Sequence, residues 1–131
     1  MAHWVSSHHN HADEYIGSGL PFALHIDDVD NNDQPQRVDF PYVTRWIQVY
    51  AHDQDLRVGF TQAGVNGHET KNFVVVKAGT NTGRLELKCT HIFVRADSAD
   101  NGEASIIAGY TTIPENRFLN LTGSDGFKGV G

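Results

Sequence analysis

Eight histidines are the residues of this sequence best suited to chemistry, and four of them lie within the first eleven positions. His8 and His11 are close enough along the chain to share a metal ion, but a zinc site needs fixed geometry and usually further ligands from ordered elements. Residues 1–19 are polar and rich in His, Ser and Gly, which favours an arm over an ordered element. The remaining histidines fall on separate predicted strands and turns: His25, His52, His68 and His91. We therefore predict no metal site.

An acidic segment between Asp28 and Asp39 has part of the spacing of a calcium loop. Asp28, Asp30 and Asn32 occupy the first, third and fifth positions of an EF-hand loop. The sixth position, which requires glycine, is Asp33, and the final bidentate glutamate is replaced by the shorter Asp39. No helices are predicted on either side. We expect a solvated acidic loop, with a looser carboxylate site as the alternative left open.

Sequence motifs of catalysis are missing. The chain contains no Gly-x-Ser-x-Gly, no phosphate-binding glycine loop and no His-Glu-x-x-His. Cys89 is the sole cysteine, which excludes an intrachain disulfide, and it is in phase with Leu85 and Leu87 of an apolar pattern. This phase predicts a buried structural thiol and not a nucleophile. We expect no enzyme activity and no cofactor.

The charge of the chain bears on its partners. The net charge is −6, and the ten Lys and Arg residues are spread singly, whereas a nucleic-acid-binding protein needs a basic patch to neutralise phosphates. No stretch approaches the roughly 20 apolar residues that span a bilayer. The N-terminus has neither the basic start nor the apolar run of a signal peptide. We expect neither nucleic acid nor membrane as a partner, and synthesis in the cytosol.

The apolar residues recur with the period of two that is typical of strands. No segment of ten or more residues shows helical periodicity, and turn signals such as Asn66-Gly67 separate the apolar runs. The fold predicted is an all-β, jelly-roll-like sandwich over residues 20–114, with a flexible arm at 1–19 and a glycine-rich extension at 115–131. The predicted strands are residues 20–26, 43–51, 56–60, 73–76, 85–95 and 104–111, of which 73–76 is expected to be fully buried.

One strand pattern is internally inconsistent. Leu85, Leu87 and Cys89 alternate on one face, but Ile92 and Val94 are out of phase with them. A β-bulge near residues 90–91, or burial of both faces, would reconcile the two halves. The predicted core consists of Leu24, Ile47, Val49, Val58, Phe60, Val74, Val76, Leu85, Leu87, Cys89, Phe93 and Ile106.

Both polar ends contain apolar residues. Segments of this composition cannot bury their own backbone, so they gain order by docking on a partner. The residues predicted to contact that partner are Trp4, Phe22, Phe127 and Val130.

The layout resembles that of capsid decoration (cement) proteins of tailed bacteriophages. The resemblance covers residues 40–114 and the glycine-rich tail, and it depends on the stretches 45–50, 56–60 and 86–94. It implies a structural virion protein that binds the outer surface of a phage capsid and stabilises it. The implied partners are the major capsid protein and further copies of the chain in a homotrimer.

Two other functions remain open. A carbohydrate- or receptor-binding β-sandwich of a viral fibre or tail would present exposed aromatic rings, for which Trp46 and Tyr50 are candidates. A small enzyme of the cupin type would need a convergent metal cluster, for which His52, His91 and Glu86 are the available ligands.

Overall fold

The computed structural model describes residues 20–119 and 129–130. Two antiparallel sheets form the domain, one with the strand order β1-β7-β3 and the other with the order β2-β6-β4-β5. The predicted all-β fold is confirmed. The elements are β1 (Pro21–Val29), β2 (Gln36–Asp39), β3 (Tyr42–Ala51), β4 (Leu56–Gly59), helix α1 (Gln62–Asn66), β5 (Phe73–Val76), β6 (His91–Ala96), β7 (Gly102–Pro114) and a 3₁₀ turn (Glu115–Arg117).

The long strand β7 is the centre of the first sheet. Ser105 lies opposite His25 of β1 on one side and opposite Tyr50 of β3 on the other. Because side chains alternate along a strand, the neighbours of Ser105, Ala104 and Ile106, point to the opposite face, and both are buried. The first sheet therefore has an apolar inner face and a polar outer face.

Most of the predicted core is confirmed. The buried members are Ile47, Val49, Val58, Val76, Cys89, Phe93 and Ile106, while Phe60, Leu85 and Leu87 are partly buried against the same cluster. Two members were wrong, because the side chains of Leu24 and Val74 are 37% and 57% exposed. Both lie on strands at the edge of a sheet, where a second layer covers the side chains less completely.

The predicted strand 85–95 is two different segments. Residues 79–90 run beside β3 without forming a regular ladder, and Ile47 and Leu85 exchange two backbone hydrogen bonds of 2.9 and 2.8 Å. From His91 onward the chain belongs to the second sheet as β6. The phase change near residues 90–91 thus marks a change of sheet, so the expected bulge is not needed.

A one-turn helix replaces the turn expected around Asn66. The hydroxyl of Thr61 accepts a hydrogen bond of 3.0 Å from the Gly64 N–H, which is the usual N-cap contact. Gly67 ends the helix with φ of 72°, a left-handed conformation that favours glycine. Within residues 20–119 and 129–130, no helix is long and apolar enough to cross a membrane.

Cys89 is buried, as expected from the phase of its strand pattern. Its thiol is free. Burial raises the pKa of the thiol to about 11, although the Thr44 hydroxyl, 3.4 Å away, opposes the shift. A thiol in this environment stays protonated at neutral pH, which suits a packing role.

Candidate functional site

An apolar groove of about 740 Å³ opens between the two sheets. One wall is β5 of the second sheet, and the other is the irregular segment beside β3. The side chains of Ile47, Val58 and Leu85 line it, and all three belong to the hydrophobic core or pack against it. Along this side the groove extends to the edge of the hydrophobic core.

The strand register explains why the groove is apolar. In the β4–β5 ladder, Val74 lies opposite Val58 and Val76 lies opposite Leu56. Paired side chains point to the same face of a sheet, so Val74 faces the core as Val58 does. Val58 is 4% exposed and Val74 is 57% exposed. The prediction that residues 73–76 form a fully buried strand was wrong, because they form the edge of an incompletely covered sheet.

The backbone of β5 is available along its outer edge. Within the described residues β5 pairs with β4 alone, so alternate N–H and C=O groups face away from the ladder. Two lysines, Lys71 and Lys77, flank the strand and line the groove, and Lys77 is 3.3 Å from a carboxylate oxygen of Asp55. The groove therefore combines apolar walls, an open strand edge and a lysine near each end of that edge, of which Lys77 is paired with Asp55.

The C-terminal residues reach one end of the groove. Gly129 lines it, and the Val130 carbonyl accepts a hydrogen bond from the hydroxyl of Thr61. A Cβ atom at Gly64 would come within 2.7 Å of the Val130 oxygen, so this approach requires glycine at position 64. Val130, a predicted partner-binding residue, thus lies beside the groove.

Of the other predicted contact residues, Phe22 lies within the described part of the chain, and it does not line the groove. Phe22 is partly buried and packs edge-on against Phe40, with ring centroids 5.2 Å apart, and beside Tyr110 at 5.8 Å. Phe22 therefore contributes to the packing of the domain itself. Trp4 and Phe127 lie outside the described residues, as do the arm histidines His8 and His11.

The two aromatic candidates for carbohydrate binding lie on the outer face of the first sheet. The guanidinium carbon of Arg84 is 5.1 Å from the ring centre of Trp46, over the ring, and Gly109 lies against the pyrrole side. The hydroxyl of Tyr50 accepts a hydrogen bond of 3.1 Å from Gln48 Nε2. The position over the Trp46 ring that a sugar would take is already filled by a cation.

The three candidate ligands of a cupin-type site have separate partners. His52 Nε2 lies 2.7 Å from the Ser105 hydroxyl, whereas His91 Nε2 lies 3.0 Å from the Phe60 carbonyl oxygen. Burial holds the pKa of His91 below its usual value. Glu86 forms an ion pair with Arg84 at 2.9 Å. In residues 20–119 and 129–130, these three do not form a group of possible metal ligands.

The acidic loop is tied to the rest of the domain. Asp33 Oδ1 lies 2.7 Å from His68 Nε2 and 3.3 Å from Arg95 Nη1. The hydrogen bond with His68, followed by the nearby positive charges, holds the pKa of the Asp33 carboxyl below its usual value. Asp30 accepts a hydrogen bond of 3.2 Å from Asn101 Nδ2. These carboxylates serve as structural acceptors.

A cluster that sequence reasoning missed lies on the outer face of the first sheet. His25 and Asp27 of β1 approach Glu103 of β7 so closely that one possible ligand atom from each lies within 4.8 Å of the others. Two of these residues are exposed and the third is half-buried. Because Glu103 is remote in sequence, the register of β1 with β7 would have been needed to find this group.

Comparison with known proteins gives little further information. No protein-family model and no curated protein matches the chain. A solved structure titled "Bacillus endospore appendages form a novel family of disulfide-linked pili" shows 14% sequence identity and a TM-score of 0.43. The match covers 72% of this chain and 89% of that chain. A likeness at this level supports no conclusion about function. The structure itself shows an all-β domain with an open apolar groove.

Proposed function

We propose that this protein is a noncatalytic structural protein that binds the outer surface of a phage capsid and stabilises it. The observation that supports binding is the exposure of Val74, a core-facing side chain, in a groove with an open strand edge. The capsid as the partner follows from the resemblance of residues 45–50, 56–60 and 86–94 to decoration proteins.

The proposed occupant of the groove is an extended segment of the major capsid protein. A segment that adds a strand beside β5 gains main-chain hydrogen bonds along the open edge and buries alternate side chains against Val74. β5 has four residues, which correspond to about 13 Å of strand. Lys71, before the start of β5, favours an acidic residue at that end of the bound segment, whereas Lys77 at the other end is already paired with Asp55. The expected ligand is therefore short, apolar at every second position and carries an Asp or Glu at the end beside Lys71.

A homotrimer would allow such short contacts to hold the protein on the capsid. A single added strand of this length buries little surface, and its affinity is modest. When several linked subunits engage one shell, the second contact benefits from a high effective concentration. Attachment then requires neither catalysis nor a cofactor.

Binding to shells tests this proposal with a matched pair of variants. Val74→Asp places a charge on the core-facing side of the edge strand, whereas Val75→Asp places the same charge on the outer side, where Val75 lies opposite Arg57. We expect Val74→Asp to weaken co-sedimentation with bare capsids by about tenfold or more, equivalent to at least 1.4 kcal/mol, and Val75→Asp to have little effect. Light scattering of the free protein reports whether it is a trimer.

Results that contradict the capsid as the partner differ from those that contradict the groove as the contact surface. Wild-type protein that ignores bare capsids would exclude the capsid, and a monomer that binds a glycan instead would support the receptor-binding alternative. Equal losses in both variants would show that the groove is not the contact surface. Thermal unfolding of each variant verifies that both remain folded.

A further inference from the structure

The outer face of the first sheet carries a cross-strand group of metal-ligating side chains. The side chains of His25 and Asp27, two residues apart on β1, meet on one side of the sheet, with His25 Nε2 3.2 Å from Asp27 Oδ1. Ser105 lies directly opposite His25 on β7, and Glu103 precedes Ser105 by two residues. The backbone N–H of His52, just after β3, donates to the Glu103 carbonyl at 3.1 Å. Three adjacent strands thus bring these side chains to one place.

The spacing of the ligand atoms fits a small divalent cation. His25 Nε2 lies 3.2 Å from Asp27 Oδ1 and 3.4 Å from Glu103 Oε2. In tetrahedral zinc sites, with bonds of about 2.0–2.2 Å, neighbouring nitrogen and oxygen ligands lie roughly 3.3–3.5 Å apart. An ion can therefore contact all three atoms after only small side-chain adjustments.

The hydrogen bonds around His25 are compatible with the tautomer that binds a metal ion through Nε2. Its Nδ1 lies 2.8 Å from the Ser105 hydroxyl, which is also 2.7 Å from His52 Nε2. If Nδ1–H donates to Ser105, the hydroxyl can donate onward to His52, and both bonds are satisfied. The lone pair of His25 Nε2 then faces two carboxylate oxygens. A cation between these three atoms replaces their repulsion with attraction, and the Ser105 contact fixes the ring as outer-shell partners do in metal sites.

We propose that His25, Asp27 and Glu103 bind a divalent transition-metal ion of the zinc type. Imidazole nitrogen and carboxylate oxygen are both ligand types that Zn²⁺ accepts, and three protein ligands leave a fourth position open to solvent. Ser105 and His52 act as positioning residues for the imidazole. The site is on the outer face of the first sheet, whereas the groove faces the core, so either proposal can fail without the other.

Titration of the full-length chain with Zn²⁺ tests the site, provided that the histidines of the N-terminal arm are removed as competitors. The parent for all measurements therefore carries Gln in place of His3, His8, His9 and His11. By isothermal titration calorimetry, we expect one Zn²⁺ per chain. His25→Gln and Glu103→Gln in this background should each weaken binding by about tenfold or more. His68→Gln, which alters an exposed histidine paired with Asp33 elsewhere, is the matched control and should leave the affinity unchanged.

A second readout separates binding at this site from an effect on folding. Zn²⁺ should shift the imidazole NMR signals of His25 and raise the thermal midpoint of the parent, since a ligand of the native state stabilises it by mass action. The midpoints of the two ligand variants without metal show whether they fold. Loss of all zinc binding in the parent, or affinities unaffected by His25→Gln and Glu103→Gln in folded variants, would overturn the proposal.

Discussion

Val74 and Val58 lie directly opposite each other on the core-facing side of the β4–β5 ladder, yet their side chains are 57% and 4% exposed. Identical side chains on the same face of one sheet differ in this way because β4 and the Val76 end of β5 are covered, whereas β5 is left open at Val74. The hydrophobic core therefore ends at β5, which is also a wall of the groove.

The two valines should contribute unequally to stability. Val58→Ala removes fully buried methyl groups and should lower the free energy of unfolding by about 2 kcal/mol, whereas Val74→Ala should cost less than about 1 kcal/mol. Urea denaturation of both variants measures the difference. Equal losses would indicate that Val74 is covered in solution, either by a second copy or by a part of the chain outside residues 20–119.

The sequence was sufficient to predict the strands whose two faces differ in polarity. Between residues 56 and 60, for example, Leu56, Val58 and Phe60 alternate with Arg57 and Gly59, and β4 lies where this pattern indicated. The run Phe73–Val76 has no such alternation, so its pattern fits a buried strand and an exposed edge equally well. Its true environment depends on which strand lies beside it, and that information is not local.

Long-range register also explains why the candidate sites were missed. His25 meets Ser105 across 80 positions of sequence, and no local pattern indicates that they face each other. The phase change between Cys89 and Ile92 was visible, but a local bulge and a change of sheet produce the same pattern in sequence. In each case the missing information was the order of strands in the sheets.

Cys89 should make the protein less stable in alkaline solution. Its pKa is raised from 9.0 to about 11 by burial, so above pH 9 the unfolded thiol loses its proton while the folded thiol keeps it. The stabilisation is complete below pH 9 and is lost as the pH rises toward 11. Across that window the free energy of unfolding should fall by up to roughly 3 kcal/mol from this group alone. Denaturation curves of wild type and Cys89→Ala between pH 8 and about 11 isolate the contribution of this thiol to the free energy of unfolding, because every other group titrates in both proteins. Parallel pH profiles would contradict the assignment.

Arg95 of β6 contacts both the acidic loop and helix α1, which are remote from it in sequence. The stability of the fold should therefore depend on arginine at this position. Its Nη1 donates to Asn66 Oδ1 at 3.0 Å and approaches Asp33 Oδ1 at 3.3 Å, and its Nη2 donates to the Asn31 carbonyl at 3.1 Å. The planar guanidinium reaches these acceptors with two nitrogens, whereas the single ammonium of lysine cannot serve them all. Arg95→Lys keeps the charge and should still lower the free energy of unfolding by about 1–3 kcal/mol.

Arg37→Lys is the matched control for this substitution, since Arg37 pairs with Asp39 on an exposed part of β2 and should contribute less than about 1 kcal/mol to stability.

The pH dependence of stability in acid provides a second test of the Arg95 contacts. The pKa of Asp33 is lowered by the hydrogen bond with His68 and by the charges beside it, so its contribution is present above the ordinary value of 3.8 and is lost as the pH falls through the lower folded pKa. The difference between wild type and Arg95→Lys, measured by denaturation, should therefore be largest above pH 4 and shrink in stronger acid. A difference that does not change with pH would mean that Arg95 acts through Asn66 and Asn31 alone, and equal effects of the two Arg→Lys substitutions would show that the network around Asp33 does not stabilise the fold.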